Sequence, residues 1–68
     1  MSALEDAQNE FCELFALDVA EYGSAYKQTI RNAPTIWALR LLAGCDEREV
    51  RNMIANLKAE RRKVNGGT

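Results

Sequence analysis

The side chains that could do chemistry in this chain are a set of carboxylates, the thiols of Cys12 and Cys45, and the indole of Trp37. The sequence has no histidine, the usual general acid or base at neutral pH, so nothing would activate either thiol. Two thiols are also too few for a zinc site. Gly66 and Gly67 precede no helix and form no phosphate-binding loop. We therefore expect no enzyme, no cofactor and no metal, and we place Trp37 in the core.

Charge is divided unevenly along the chain. Residues 1–24 hold six acids and no base, whereas residues 25–68 hold nine bases and four acids, a polarity that the net charge of −1 conceals. Such polarity can stabilise the fold from within, pair two copies head to tail, or present two different surfaces to partners. All three interpretations stay open at the level of sequence.

Signals at the ends of the apolar segments predict four helices. Ser2 and Asp46 each stand three residues before a glutamate, which is the spacing of a capping box, and each should begin a helix. Gly23 and Gly44 offer the left-handed conformation in which helices end. Pro34 blocks continuation of the helix before it. The predicted helices, the second of them capped by Ser24, cover residues 2–22, 24–33, 35–43 and 46–63.

The third predicted helix is apolar nearly all round, with only two polar residues, a pattern typical of a helix buried on several sides. We expect the core to depend on Trp37, Leu41 and Leu57. No segment shows an alternation of apolar and polar residues long enough to predict a β-strand. The sequence thus predicts an all-α fold, a small helical bundle in one domain over residues 1–64, with a flexible tail over residues 65–68.

A chain of 68 residues is short for independent stability. A domain of this size buries only about 60% of the surface that its unfolded chain exposes. Without a disulfide framework or a metal, self-association is the remaining stabiliser, so we predict a homodimer. The first residues lack the basic and apolar regions of an export signal, and no apolar run reaches the length of a membrane span. We expect reduced cysteines, a cytoplasmic location and no membrane partner.

Five acids of the first helix fall within one arc of roughly 140° when the helix is projected at about 100° per residue. Leu14 and Leu17 lie inside that arc. A helix with one buried face has no need of leucines among its acids, so we predict a contact with another protein, anchored by these leucines. The alternative is that another helix of the same chain covers them. The predicted protein-binding residues are Glu10, Glu13, Leu14, Leu17, Asp18 and Glu21.

Four bases of the last helix project on one flank: Arg48, Arg51, Lys58 and Arg62. They could neutralise the phosphates of a nucleic acid. They could instead form solvated pairs such as Glu47 with Arg51, or meet the acidic arc of the first helix in the same copy or a second one. The sequence leaves these alternatives open.

The third and fourth predicted helices, joined by a turn that contains Gly44, have the layout of a helix-turn-helix unit. Its helix contacts would be filled by Leu39, Ala43, Cys45, Val50 and Met53. The run from Arg48 to Lys58 resembles the recognition helices of small winged-helix regulators. That resemblance implies a dimer with paired helices in successive major grooves of DNA. The DNA-binding residues would be Arg48, Arg51, Asn52, Lys58 and Arg62.

A sequence pI near 5.3 is low for a typical nucleic-acid binder. We therefore predict a small non-enzymatic regulatory or inhibitory protein that binds another protein through a helical surface. A DNA-binding helix-turn-helix regulator is the alternative.

Overall fold

The computed structural model describes residues 2–23 and 26–66, and the side chains of these residues as far as Arg62. Within these ranges the chain is helical and contains no strand, which confirms the all-α class. The helices are α1 (Ala3–Glu21), α2 (Gln28–Asn32), α3 (Pro34–Leu41) and α4 (Glu47–Gly66).

Local end signals account for the starts of the two long helices. The Ser2 hydroxyl accepts a hydrogen bond from the Glu5 amide at 3.0 Å and caps α1. At the start of α4 the Glu49 amide donates to the Asp46 carboxylate at 2.9 Å, and the Asp46 amide donates back to Glu49 at 3.4 Å. This reciprocal pair is the predicted capping box. Gly44, with φ of 81°, supplies the left-handed residue after α3, as expected.

The connection between α1 and α2 differs from the prediction. Gly23 does not adopt the left-handed conformation, and α1 ends where the Tyr22 amide donates to the Asp18 carbonyl at 2.8 Å. A side-chain carbon at Gly23 would stand 3.1 Å from Nε of Arg31, an exposed side chain that would have to shift by a few tenths of an ångström. The second helix begins at Gln28 after Lys27, four residues later than predicted, and Ser24 lies outside the described residues.

The later boundaries also move. Pro34 is the first residue of α3, where its missing amide costs nothing and its fixed φ suits the helix. This helix ends at Leu41, two residues before the predicted end. The last helix continues to Gly66, beyond the predicted end at Lys63 and past the start of the expected tail. Gly67 and Thr68 lie outside the described residues.

The core forms around α1, because α3 and α4 both pack mainly on this helix rather than on each other. Phe11 and Phe15 of α1 stack with ring centroids 6.1 Å apart, and Tyr26 meets Phe15 edge to face at 6.0 Å. Val50, Met53, Ile54 and Leu57 form an apolar stripe on α4, in which Val50 and Ile54 are buried. The buried apolar residues are Ala7, Phe11, Phe15, Val19, Ala38, Leu42, Val50 and Ile54.

The expectation that the third helix is buried on several sides is wrong. Ala38 and the following Leu42 are buried, but Leu41 is 52% exposed and therefore not a core residue. Trp37 and Leu57 are partly buried and pack against the core. The physical reason is that α3 meets the long α1 on one side only, and its other neighbour, α2, is a five-residue helix with no buried residue.

Candidate functional site

Ion pairs join the acidic arc of α1 to α4 within one copy of the chain. Glu10 accepts from Arg51 at 3.1 Å and from Lys58 at 3.3 Å, so one carboxylate bridges two bases that lie two turns apart. Arg51 also lies 3.7 Å from Glu47 in the preceding turn. The hydrogen bond from Lys58, more than that from Arg51, holds the pKa of Glu10 below its usual value.

A second set of pairs centres on Arg61, near the other end of α1. Its Nη1 lies 2.5 Å from Oδ1 of Asp18, and its Nη2 lies 2.8 Å from Oε1 of Glu21. Asp18 is only 5% exposed, which makes it a buried charged residue. The hydrogen bond to Asp18 is the main cause that raises the pKa of Arg61. The guanidinium thus bridges two carboxylates one turn apart on α1.

These pairs divide the residues that the sequence assigned to protein binding. Glu10, Asp18 and Glu21 are engaged with α4, and Leu14 is partly buried against the core. Glu13 is exposed, and Leu17 is 51% exposed. Only Glu13 and Leu17 of the predicted set therefore stand available on the outer side of α1, where they form a small surface.

The predicted DNA-binding residues divide in the same way. All five residues are exposed, but Arg51 and Lys58 bind Glu10, whereas Arg48, Asn52 and Arg62 have no ion-pair or hydrogen-bond partner within the described part of the chain. The three residues without a partner span more than three turns of α4. They form a sparse row of polar groups rather than a continuous basic surface.

The contact expected between the helices of a helix-turn-helix unit forms only in part. Leu39 and Ala43 are exposed instead of packing against α4. Val50 is buried, and Cys45 and Met53 are partly buried against the core that α1 dominates. The two helices share α1 as a common neighbour because the short α3 turns its small residue Ala38 toward α1.

The largest exposed apolar side chains outside α1 belong to α3. Ile36 is 57% exposed and Leu39 is 49% exposed, and the helical repeat places them together on the side opposite Ala38. Leu41 is exposed on another flank, one turn after Trp37. A short helix that places three large aliphatic residues half in solvent is typical of a contact surface.

A cleft adjoins this helix, between α3 and the segment that contains α2. It has a volume of about 510 Å³ and is lined by Tyr26, Lys27, Thr29, Ile30 and Trp37. The Arg40 guanidinium lies 5.0 Å from the centroid of the Trp37 ring, within cation–π range. Burial raises the pKa of Tyr26, with a smaller contribution from the negative charges of Asp18 and Glu60. The cleft therefore combines aromatic walls with basic neighbours.

The buried pair of Asp18 and Arg61 was not predicted from the sequence, although it left a signal. Arg61 interrupts the apolar stripe of α4, and Asp18 lies at a core-facing position of α1 one turn after Phe15. Opposite charges placed in the facing stripes of two helices indicate a buried pair. The exposed aliphatics of α3 left no such signal, because their exposure depends on which neighbours cover the helix.

The fold and these surfaces define a small all-α domain with a charge-paired α1–α4 unit and an apolar, basic α2–α3 side. No family model, curated protein or solved structure matches the chain. Among the described residues, no helix has the length and apolar character needed to cross a membrane. No cluster of cysteine and carboxylate side chains in those ranges could hold a metal ion.

Proposed function

We propose that this protein is a non-enzymatic regulator or inhibitor that binds another protein through the exposed face of α3. The observation that carries the proposal is the half exposure of Ile36 and Leu39, which lie side by side on a helix of eight residues. Large aliphatic side chains contribute most to affinity when a partner removes them from water.

This surface replaces the acidic arc of α1 as the leading contact. Of the six predicted protein-binding residues, three form ion pairs with α4 and Leu14 packs against the core. Leu17 stands among carboxylates on the outer side of α1 and is the remaining anchor of the original prediction. It therefore provides a matched comparison for the residues of α3.

Capture from the native host tests the proposal. We expect the tagged chain to retain a specific protein, identified by mass spectrometry, and the double variant I36S/L39S to lose it. The variant L17S should retain it. Circular dichroism should show unchanged helicity for all three proteins, since every substituted side chain is about half exposed. Equal capture by I36S/L39S and wild type would contradict the α3 contact, and loss in L17S alone would return the contact to α1.

DNA binding through α4 is the second candidate, because Arg48, Asn52 and Arg62 are exposed and have no partner among the described residues. The variant R48A/R62A tests it with genomic DNA fragments. A contact through several phosphates weakens steeply with salt, whereas an aliphatic contact changes little. This candidate would be favoured over protein binding if the chain binds DNA with steep salt dependence. That binding should be lost in R48A/R62A and kept in I36S/L39S.

The homodimer and the cytoplasmic location remain predictions from the sequence. Sedimentation velocity at micromolar concentration tests the homodimer directly. A mass equal to that of the 7.6 kDa chain over the whole concentration range would contradict it.

A further inference from the structure

The α2–α3 side of the molecule carries positive charge without neighbouring acids of its own. Residues 22–45 contain Lys27, Arg31 and Arg40 and no acidic residue. Lys27 lines the cleft, and Arg40 lies over the Trp37 ring that forms one of its walls. The negative groups that influence the cleft are Asp18 and Glu60, which act at its Tyr26 end. Asp18 is already paired with Arg61, so Glu60 is the remaining acid beside the two bases Lys27 and Arg40.

We propose that this cleft docks an acidic protein segment that inserts one apolar side chain between Trp37 and Ile30. The proposal rests on the proposed function and names the chemistry of its partner. A volume of about 510 Å³ exceeds that of a single aromatic side chain and lies within the range of ligand-binding pockets. Trp37, Ile30 and Tyr26 supply the apolar walls, while Lys27 in the lining and Arg40 over the Trp37 ring attract carboxylates.

A second copy of the chain fits this surface less well. Two copies related by a two-fold axis place the same surface against itself, which brings bases against bases with no acid between residues 22 and 45 to compensate. The acidic, leucine-bearing side of α1 is complementary to the cleft, but Leu17 projects from α1 roughly opposite to the side that meets α3. Such a head-to-tail contact between copies would build rings or filaments and not a two-fold dimer. A separate acidic protein is therefore the occupant that the charges favour.

Trp37 makes the proposal directly measurable, since it is the only tryptophan in the sequence and lines the cleft. The probe is a short synthetic peptide that carries one phenylalanine among glutamates and no tryptophan. We expect a saturable change in Trp37 fluorescence with this peptide. Peptides with serine in place of phenylalanine, or lysine in place of the glutamates, should bind at least about tenfold more weakly.

Charge reversal at the cleft supplies the matched variants. K27E/R40E should weaken binding of the phenylalanine–glutamate peptide at least about tenfold, whereas R48E/R62E makes the same change in net charge on α4 and should leave binding unchanged. K27E alone should also weaken binding of the peptide. This single variant allows the test to be made even if circular dichroism shows that the double variant has lost helicity.

Three results would overturn the proposal. The first is no fluorescence change, or equal binding of the serine or lysine peptide. The second is an equal loss of peptide binding in R48E/R62E and K27E/R40E, which would indicate long-range electrostatic attraction instead of docking in the cleft. The third is a stronger response to single-stranded oligothymidylate, or to raised protein concentration alone, which would assign the cleft to nucleic acid or to a second copy.

The two proposals fail separately. If a host protein is captured and lost in I36S/L39S while the peptide does not bind, the protein-binding role stands and the acidic ligand is wrong. If the peptide binds the cleft but I36S/L39S captures the same protein as wild type, the cleft stands and the α3 face is wrong.

Discussion

Arg61 of α4 reaches across to the buried Asp18 of α1 and places its Nη1 atom 2.5 Å from the carboxylate. Asp18 is 5% exposed, whereas the Arg61 side chain is 20% exposed and also contacts Glu21. The two partners therefore depend on each other unequally. Arg61 has a second carboxylate and access to water, whereas Asp18 has no other hydrogen-bonding side chain among the described residues.

Arg61→Met should accordingly destabilise the fold more than Asp18→Leu. Arg61→Met leaves the Asp18 carboxylate, which is 5% exposed, without its counter-charge. Asp18→Leu leaves Arg61 with Glu21 and solvent. The double variant should regain part of the loss, because no unpaired charge remains. Urea denaturation of the wild type, the two single variants and the double variant measures the free energy of unfolding of each protein. Equal losses of stability in the single variants, with their sum in the double variant, would contradict the asymmetry.

The sequence predicted several parts of the fold that depend on local chemistry, although the left-handed helix end expected at Gly23 did not form. Ser2, the Asp46–Glu49 pair and the left-handed Gly44 act within a few residues, so their hydrogen bonds and dihedral angles follow from spacing alone. The exposure of Leu41 does not follow in this way. Its burial depends on how many helices surround α3, and α2 proved too short to cover it.

The candidate site likewise combines features that the sequence revealed with features that depend on how the helices pack. The sequence revealed the acids of α1 and the bases of α4, and named their mutual pairing as one alternative. It could not decide that Glu10 faces Arg51 and Lys58 while Glu13 faces solvent, because that depends on the packing angle between helices. The cleft beside Trp37 joins residues of α3 to residues on either side of the start of α2, so no single helical projection contains it.

Leu42 and Leu41 form a matched pair of neighbours with opposite environments. Leu42 is 2% exposed and Leu41 is 52% exposed. Leu42→Ala should cost about 2 to 5 kcal/mol through loss of burial and formation of a cavity, enough to unfold much of a domain this small. Leu41→Ala should cost about 1 kcal/mol, because half of its surface is already in water. Thermal denaturation followed by circular dichroism compares them, and similar melting temperatures would show that the packing of α3 is misassigned.

Gly44 should be sensitive to substitution because of its backbone and not because of crowding. Its φ is 81°, and a side-chain carbon built there meets nothing within 4 Å. Gly44→Ala should therefore cost about 1 to 2 kcal/mol from the left-handed conformation, and Gly44→Asn should cost less because asparagine tolerates that region. Urea midpoints of the two variants provide the measurement. A Gly44→Ala protein as stable as wild type would mean that the turn adopts another conformation in solution.

Glu10 should make the stability of the fold depend on acid pH. Its pKa in the folded chain lies below the ordinary value of 4.5, mainly because of Lys58, so the unfolded chain takes up its proton first as the pH falls. The contribution of Glu10 is therefore complete above pH 4.5 and decreases as the pH falls through the lower, folded-state pKa. Glu10→Gln should reduce stability at neutral pH and flatten this decrease. Glu13→Gln removes an exposed acid of the same helix that has no ion pair among the described residues, and should leave the profile parallel to wild type. Urea denaturation at a series of pH values decides the matter, and a Glu10→Gln profile parallel to wild type would show that the contacts with Arg51 and Lys58 do not persist in solution.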